Sequence, residues 1–428
     1  MRGDTKKVNW LDLRYRNEMT SSTAHKWNFA ARFRRNAFGW RSQPALARVK
    51  EAVAEIKKTA RKDPVLAAEG TVLFLEKVSP ALAHVDSSSG AIGSAVNNAI
   101  EILAPIIAGA SADSSARDRW LERLWQAVEA DDIPYIELLP EHWGELCATP
   151  DRASKWADSF IEVVRMAWDP SSGHRGYFKG ATACLSALIK AGRNEEVLAL
   201  LELSPYKYWH YRRWGVKALS AMGRKADAIR YAEENRGIND PLGAIAEACE
   251  EILLSSGMAD EAYARYAINA NRGTSHLATF RAIAKKYPQK TAVEILNDLV
   301  KSTPGEEGKW FASAKSAGLY SEAIALANKT PCDPRTLTRA AREAAAANPD
   351  FAVEAGVAAL RWLCEGYGYE ITSTDVRDAY RYVMEAAANA GSKRATFERI
   401  RKLAGSQTSV ARFVAQVLSK ELRPEQNE

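Results

Sequence analysis

Gly223-Arg224-Lys225-Ala226-Asp227-Ala228 states a phrase that recurs through the second half of the chain: a glycine, an acid four residues on, then a small residue. Its other forms are Gly192-x-x-x-Glu196-Val197, Gly257-x-x-x-Glu261-Ala262 and Gly318-x-x-x-Glu322-Ala323. The intervals are 31, 34 and 61 residues, and Pro288, followed by Ala292-Val293, stands near the middle of the long one. A period of about 31–34 residues is the length of a helical hairpin. Each glycine follows an apolar-periodic segment, as a left-handed residue closing a helix does. The acid then falls in the first turn of the next helix, where it complements the helix dipole. The small residue beside it lets two helices approach closely. Positive φ at Gly223 and Gly257 is the expectation on which this reading stands.

These residues resemble the tetratricopeptide family, in which a glycine closes the first helix of a pair and an acid–alanine pair opens the second. Ser220 to Ala228 and Lys315 to Ala323 carry the likeness most fully, and it covers roughly 185–330. The Trp-x-x-Leu-Gly opening and the proline that closes the second helix are absent, so the repeats are tetratricopeptide-like. The resemblance implies an all-α, right-handed solenoid of antiparallel helical hairpins without β-sheet. The whole chain also resembles bacterial helical-repeat proteins, a likeness that carries no activity with it.

At 428 residues, 46% hydrophobic and 26% charged, the chain is long enough to bury a large core. Its mean hydropathy is −0.32. No stretch reaches the roughly 18 uncharged apolar residues of a membrane span, and the start lacks an apolar secretory segment. The five cysteines (Cys147, Cys184, Cys249, Cys332, Cys364) are scattered and never form C-x-x-C, the pattern of reduced, buried thiols in a cytoplasmic protein. The net charge of +6 is uneven: residues 1–62 hold 16 Lys/Arg against 5 Asp/Glu, and the remainder 43 against 48. A basic arm on a near-neutral body predicts an acidic partner for that arm, nucleic acid or an anionic protein surface.

Five segments follow: a basic, aromatic-rich arm with its helices over 1–62, a helical domain over 63–172, the repeat array over 173–330, further helical repeats over 331–422 and a frayed tail over 423–428. In the arm, aromatics at helical spacing from Thr23 to Phe38 predict a helix with arginines on its flanks. Arg14, Arg16, Arg32, Arg34, Arg35 and Arg41 are the polyanion-binding candidates. A helix over 44–62 follows, and Asp63-Pro64 caps the next, which Ser79-Pro80 is expected to break after Val78. The small-polar run Asp86–Ser94 lacks the strand and lysine of a phosphate loop and reads as a lead into helix Ala95–Ala108. His142, between Glu141 and Glu145, has no second His or Cys at metal-ligand spacing and reads as a capping turn.

The densest stretch is Tyr206-Lys207-Tyr208-Trp209-His210-Tyr211-Arg212-Arg213-Trp214. Read as the first helix of a repeat pair, it holds more aromatics than a tight helix-pair core accepts. Tyr206, Tyr208, Trp209, Tyr211, Arg212, Arg213 and Trp214 are therefore the candidate partner-binding residues, of the types that dominate binding hot spots. No catalytic set is visible: no H-x-x-x-H, no G-x-S-x-G and no cysteine with a nearby activating partner. Neither a metal nor a cofactor is implied. The expected function is a non-enzymatic scaffold or adaptor binding a protein partner on its concave face. The alternative is a nucleic-acid-binding helical-repeat protein, with or without base-repair activity of the DNA glycosylase kind, since the Trp-x-x-Arg-Arg-Trp pattern superficially resembles helical-repeat DNA glycosylases. A positive groove would favour nucleic acid; a mixed or acidic one would favour a protein.

Overall fold

A computed structural model describes residues 25–171, 176–234, 240–405 and 409–422. Arg14, Arg16 and the tail 423–428 lie outside them. Among the described residues the chain is all-α, with 21 α-helices, two single 3-10 turns and no strand. It forms two compact units, Met1–Arg224 and Lys225–Glu428.

In the first unit α1 (Ser42–Ala60), α2 (Pro64–Leu82) and α3 (Ala91–Gly109) pack mutually, and α4 (Ser114–Glu129) lies on α2. Asp63 caps α2 by accepting from the Leu66 N–H at 2.9 Å, with Pro64 in the first turn. The helix does not break at Ser79-Pro80. Pro80 removes one hydrogen bond, and the buried Val78, Ala81 and Leu82 hold the last turn in place. Likewise α3 begins four residues earlier than expected, because Ile92 already belongs to its buried stripe. Among the described residues α3 alone is long and apolar enough to cross a membrane. It carries Glu101, and Val96, Ile100, Leu103 and Ile107 are buried.

The helix expected over Thr23–Phe38 is replaced, from His25 on, by a chain of turns. Glu55 accepts from the backbone N–H of Asn28 (2.9 Å) and of Phe29 (3.2 Å), and Asn36 is left-handed at φ 56°. Trp27, Phe29 and Phe33 are all buried, the two phenylalanines edge-on to Phe74 at 5.9 and 5.3 Å. The aromatics thus dock, as their number demands, without being helical.

The unit continues through α5 (Trp143–Leu146), α6 (Pro150–Trp168), α7 (Ala181–Lys190), α8 (Asn194–Leu203) and α9 (Trp209–Ala221). The second unit comprises α10 (Lys225–Glu234), α11 (Leu242–Leu254), α12 (Ala259–Ala270), α13 (His276–Lys286), α14 (Ala292–Ser302), α15 (Phe311–Ser316) and α16 (Tyr320–Lys329). After these come α17 (Pro334–Ala344), α18 (Pro349–Cys364), α19 (Ser373–Asn389), α20 (Lys393–Ala404) and α21 (Ser409–Val417).

The four phrase glycines are left-handed: φ is 76° at Gly192, 76° at Gly223, 74° at Gly257 and 75° at Gly318. In each case the next residue donates its N–H five residues back: Arg193 to Leu188, Arg224 to Leu219, Met258 to Leu253 and Leu319 to Ala314, at 2.9–3.0 Å. This closes the helix with the six-to-one bond of a left-handed C-terminal cap. The small residues Val197, Ala228, Ala262 and Ala323 are all fully buried. At the Pro288 position Thr291 starts α14 instead, through a capping box with Glu294. All five cysteines are free and buried. Burial pushes the thiols of Cys147, Cys184 and Cys332 up to about 12, and those of Cys249 and Cys364 to about 11.

Candidate functional site

The first unit contains a cleft of about 540 Å³ lined mainly by three segments distant in sequence, 131–141, 177–179 and 206–211, with Asn97, Val128 and Thr182 from helices α3, α4 and α7. Asp131, at the end of α4, is buried and accepts from Ser79 Oγ at 2.5 Å and from the Ile136 N–H at 2.9 Å. Burial nonetheless raises its pKa. Lys179 gives its ammonium to the carbonyls of Val128, Glu129 and Asp131, at 3.3, 3.1 and 2.7 Å. An ammonium has three protons, so this lysine closes the end of α4 and offers the cleft little. Glu137 stands in the same wall, and its pKa is raised by desolvation and then by the charges of Asp131 and Glu141.

The opposite wall is tyrosine. Pro205 ends α8, and the Ser204 hydroxyl accepts the Tyr206 N–H at 3.2 Å, so the chain runs extended through Tyr208 and α9 starts only at Trp209. The expectation of one helix through the whole aromatic stretch is therefore corrected: Tyr206 and Tyr208 lie ahead of it. Tyr206 lies between Tyr208 and Tyr211, with ring centroids 5.9 and 6.0 Å apart. Tyr211 is buried, set edge-on to Trp168 at 5.1 Å, and burial raises its phenol to about 12. Tyr208 is 60% exposed and Tyr177, across the cleft, 71%.

The seven partner-binding candidates thus separate. Tyr206, Tyr208 and Tyr211 line the cleft together. Trp209 and Trp214 are buried, 7% and 3% exposed, and are not the open surface expected of them. Period-based face assignment cannot place residues whose helix begins in mid-stretch, and α9 turns both indoles inward. Arg213 pairs with Glu141 and lies over the Trp214 ring at 5.7 Å; Arg212 is half-buried. Of the polyanion candidates, Arg32 is ion-paired with Glu51 at 2.5 Å and Arg34 donates to the Ala31 carbonyl at 3.0 Å. Arg35 and Arg41 are exposed.

His210 meets Thr182 Oγ1 at 3.2 Å through Nε2, while its Nδ1 lies 3.8 Å from Glu141. The second separation is beyond hydrogen-bond reach, and Glu141 is committed to Arg213, so these three groups are not a proton relay. Burial, then Arg213, lowers the His210 pKa, against the opposing charge of Glu141. At the capping turn His142 lies 3.4 Å from Glu145 and 3.7 Å from Glu101. No metal-binding group of three or more ligands occurs among the described residues. The cleft can bind: it presents aromatic faces and carboxylates, with its two nearby cations already engaged.

Asp131, Glu137, Tyr177 and Lys179 were not singled out by sequence as site residues. Their only sequence signal is their position at helix ends, which they share with many solvated residues. No protein-family model, curated protein or solved structure matches this chain. Its chemistry is therefore read from the cleft itself.

Proposed function

We propose that the protein is a non-enzymatic scaffold or adaptor of the bacterial cytoplasm, built from tetratricopeptide-like hairpins arranged as a solenoid, which holds a protein partner. Support for the repeats comes from the left-handed glycines and from polar contacts that recur at one repeat length in the second unit. Tyr266 reaches Glu233, Tyr263 reaches Asp298 and Tyr287 reaches Glu250, at separations of 33, 35 and 37 residues. Each links one hairpin to the next, as neighbour-only stacking requires.

The partner reading rests on one observation: the cleft of the first unit is lined by tyrosines and carboxylates. A duplex or single strand needs a positive track for its phosphates, whereas tyrosine faces beside Glu137 and Glu141 suit a basic or aromatic segment of a protein. The nucleic-acid alternative keeps its support in the exposed Arg35 and Arg41 and the basic composition of residues 1–62.

The test is affinity capture with the full chain, with and without nuclease, beside the Tyr208→Ala/Glu137→Lys variant. Nuclease-resistant partners that the variant loses, with binding weakened by about 2 kcal/mol or more, are the expected result. Capture that nuclease abolishes, or that the variant retains while deletion of residues 1–42 removes it, overturns the reading in favour of nucleic acid.

A further inference from the structure

In the second unit α17 and α19 run side by side in the same direction. Arg335 pairs with Asp375 and Arg342 lies over Tyr382, a constant offset of 40 residues. Along α17, Arg335, Arg339 and Arg342 share one exposed ridge, because steps of four and three residues return to the same face. The buried Leu337, Ala340 and Ala341 of the same helix turn the other way. Between this ridge and Asp375, Asp378 and Tyr382 of α19 lies a small recess of about 170 Å³.

The charges in the recess are unevenly matched. Arg335 is saturated: it binds both oxygens of Asp375, at 2.7 and 3.0 Å, and the Glu370 carbonyl at 3.0 Å. Asp378 is engaged by Arg381 at 2.7 Å. Glu343 takes Lys315 at 2.5 Å, and Asp333 and Glu370 add their negative charge beside Arg335, where Asp333 caps α17 at Thr336. Arg339 and Arg342 make no ion pair of their own among the described residues, one turn apart and lining the same recess; Glu343 feels the charge of both but is bonded to Lys315. Tyr382 receives Arg342 at 5.7 Å and Arg381 at 4.6 Å from its ring centre, which fixes the far wall.

We propose that this recess is an anion site for a phosphate monoester. With Asp375 and Asp378 already bonded to Arg335 and Arg381, two guanidinium groups with no ion pair of their own line the recess, and a dianion suits two such groups. The planar forks of Arg339 and Arg342 are suited to bidentate contact with tetrahedral oxyanions, and the Thr338 hydroxyl in the same lining can donate a further bond. A phosphodiester carries a single charge per phosphate and leaves one arginine unmatched, so the site selects the monoester.

The experiment uses the intact protein at low ionic strength. Inorganic phosphate is titrated calorimetrically, a fluorescent phosphoserine peptide is followed by anisotropy, and an oligonucleotide without a terminal phosphate serves as the third probe. If the site takes any phosphate monoester, phosphate binds and displaces the peptide; if it requires a phosphorylated side chain, only the peptide binds. Either result supports the site, provided that Arg339→Gln/Arg342→Gln weakens binding roughly tenfold or more with an unchanged thermal melt. The proposal is overturned if neither phosphate nor peptide binds, if the double variant binds both as well as the parent, or if the oligonucleotide binds through the same two arginines. Because α17 contributes nothing to the cleft of the first unit, this result is independent of the scaffold reading.

Discussion

Trp143 and Glu250 are both fully buried, one in each unit, and they are held in opposite ways. Trp143 meets other rings: Trp156 at 5.1 Å, Trp125 at 5.8 Å and Phe160 at 6.4 Å between centroids. It belongs to an apolar cluster that runs from Trp27 to Ala218 through the first unit. Glu250 meets donors: Tyr287 Oη at 2.6 Å, Lys286 Nζ at 2.6 Å and Asn271 Nδ2 at 2.7 Å. The first unit has helices of up to 19 residues with a wide face to bury, so apolar volume holds it. Helices α10 to α16 of the second have 6–13 residues and small buried faces, and side-chain hydrogen bonds bridge them across 33 and 35 residues. Short helices can use polar bridges in this way because Glu250, Tyr263 and Tyr266 each find a counterpart on a neighbouring helix or the turn after it.

The largest effect expected from this contrast is at Trp143. Replacement by alanine empties a fully buried site among three aromatic rings, and the loss is about 3–5 kcal/mol by chemical denaturation. A loss below about 1 kcal/mol would mean that the ring cluster collapses freely into the gap, and the packing account of the first unit fails. Glu250→Ala comes next. It leaves Tyr287, Asn271 and the Lys286 ammonium without their common acceptor, and about 3 kcal/mol is expected, the scale for breaking a buried charged pair. If Glu250→Leu restores most of that stability, the carboxylate supplies pairing specificity between hairpins more than net energy.

A pH comparison sharpens the point. The Asp375 carboxyl is held well below the usual carboxylate range, first by Arg335 and further by the Thr372 cap. A folded-state pKa below the unfolded one gives stability that is fully present above the ordinary aspartate value and is lost as the pH falls toward the folded value. Asp375→Asn should therefore destabilise by roughly 1 kcal/mol at pH 7, the scale of a cap and a part-exposed ion pair. The gap between parent and variant closes below about pH 4. Asp131 in the first unit has the opposite sign: burial raises its pKa, so its contribution declines as the pH rises. Melts of the Asp375→Asn variant that stay parallel to the parent down to pH 2 would remove the ion pair from the account.

How much of this is legible in the sequence depends on how local the cause is. The glycines were readable because a positive φ is a backbone demand with few residue solutions. Gly391, at φ 66° with Ser392 bonded back to Ala387, makes the same turn and escaped notice because Ala395 stands where the phrase has its acid. The N-terminal aromatics were misread for a non-local reason: no spacing rule sees Glu55 capturing the backbone of Asn28 and Phe29 from 27 and 26 residues away. Half of the cleft was visible as the tyrosine stretch 206–211. Its acidic half was not, because Asp131 and Glu137 resemble ordinary helix-end carboxylates until Tyr206 and Tyr177 are placed beside them.

The smallest expected effect asks whether the two units differ where the cause is purely local. Gly192 closes α7 in the first unit and Gly257 closes α11 in the second, with φ of 76° and 74°. A Cβ added at either position would meet no heavy atom within 4 Å. Nothing in the surroundings therefore distinguishes them, and only the intrinsic penalty of a left-handed alanine remains. Gly192→Ala and Gly257→Ala should each destabilise by about 1 kcal/mol, and by equal amounts within the error of denaturant midpoints. An apolar core and a polar ladder would give different values if either relaxed to relieve the strain. Equal values mean that the glycine turn is an autonomous device, set unchanged into two differently stabilised surroundings. Unequal values would show instead that one unit yields around its turn, and the softer one is identified by the smaller loss.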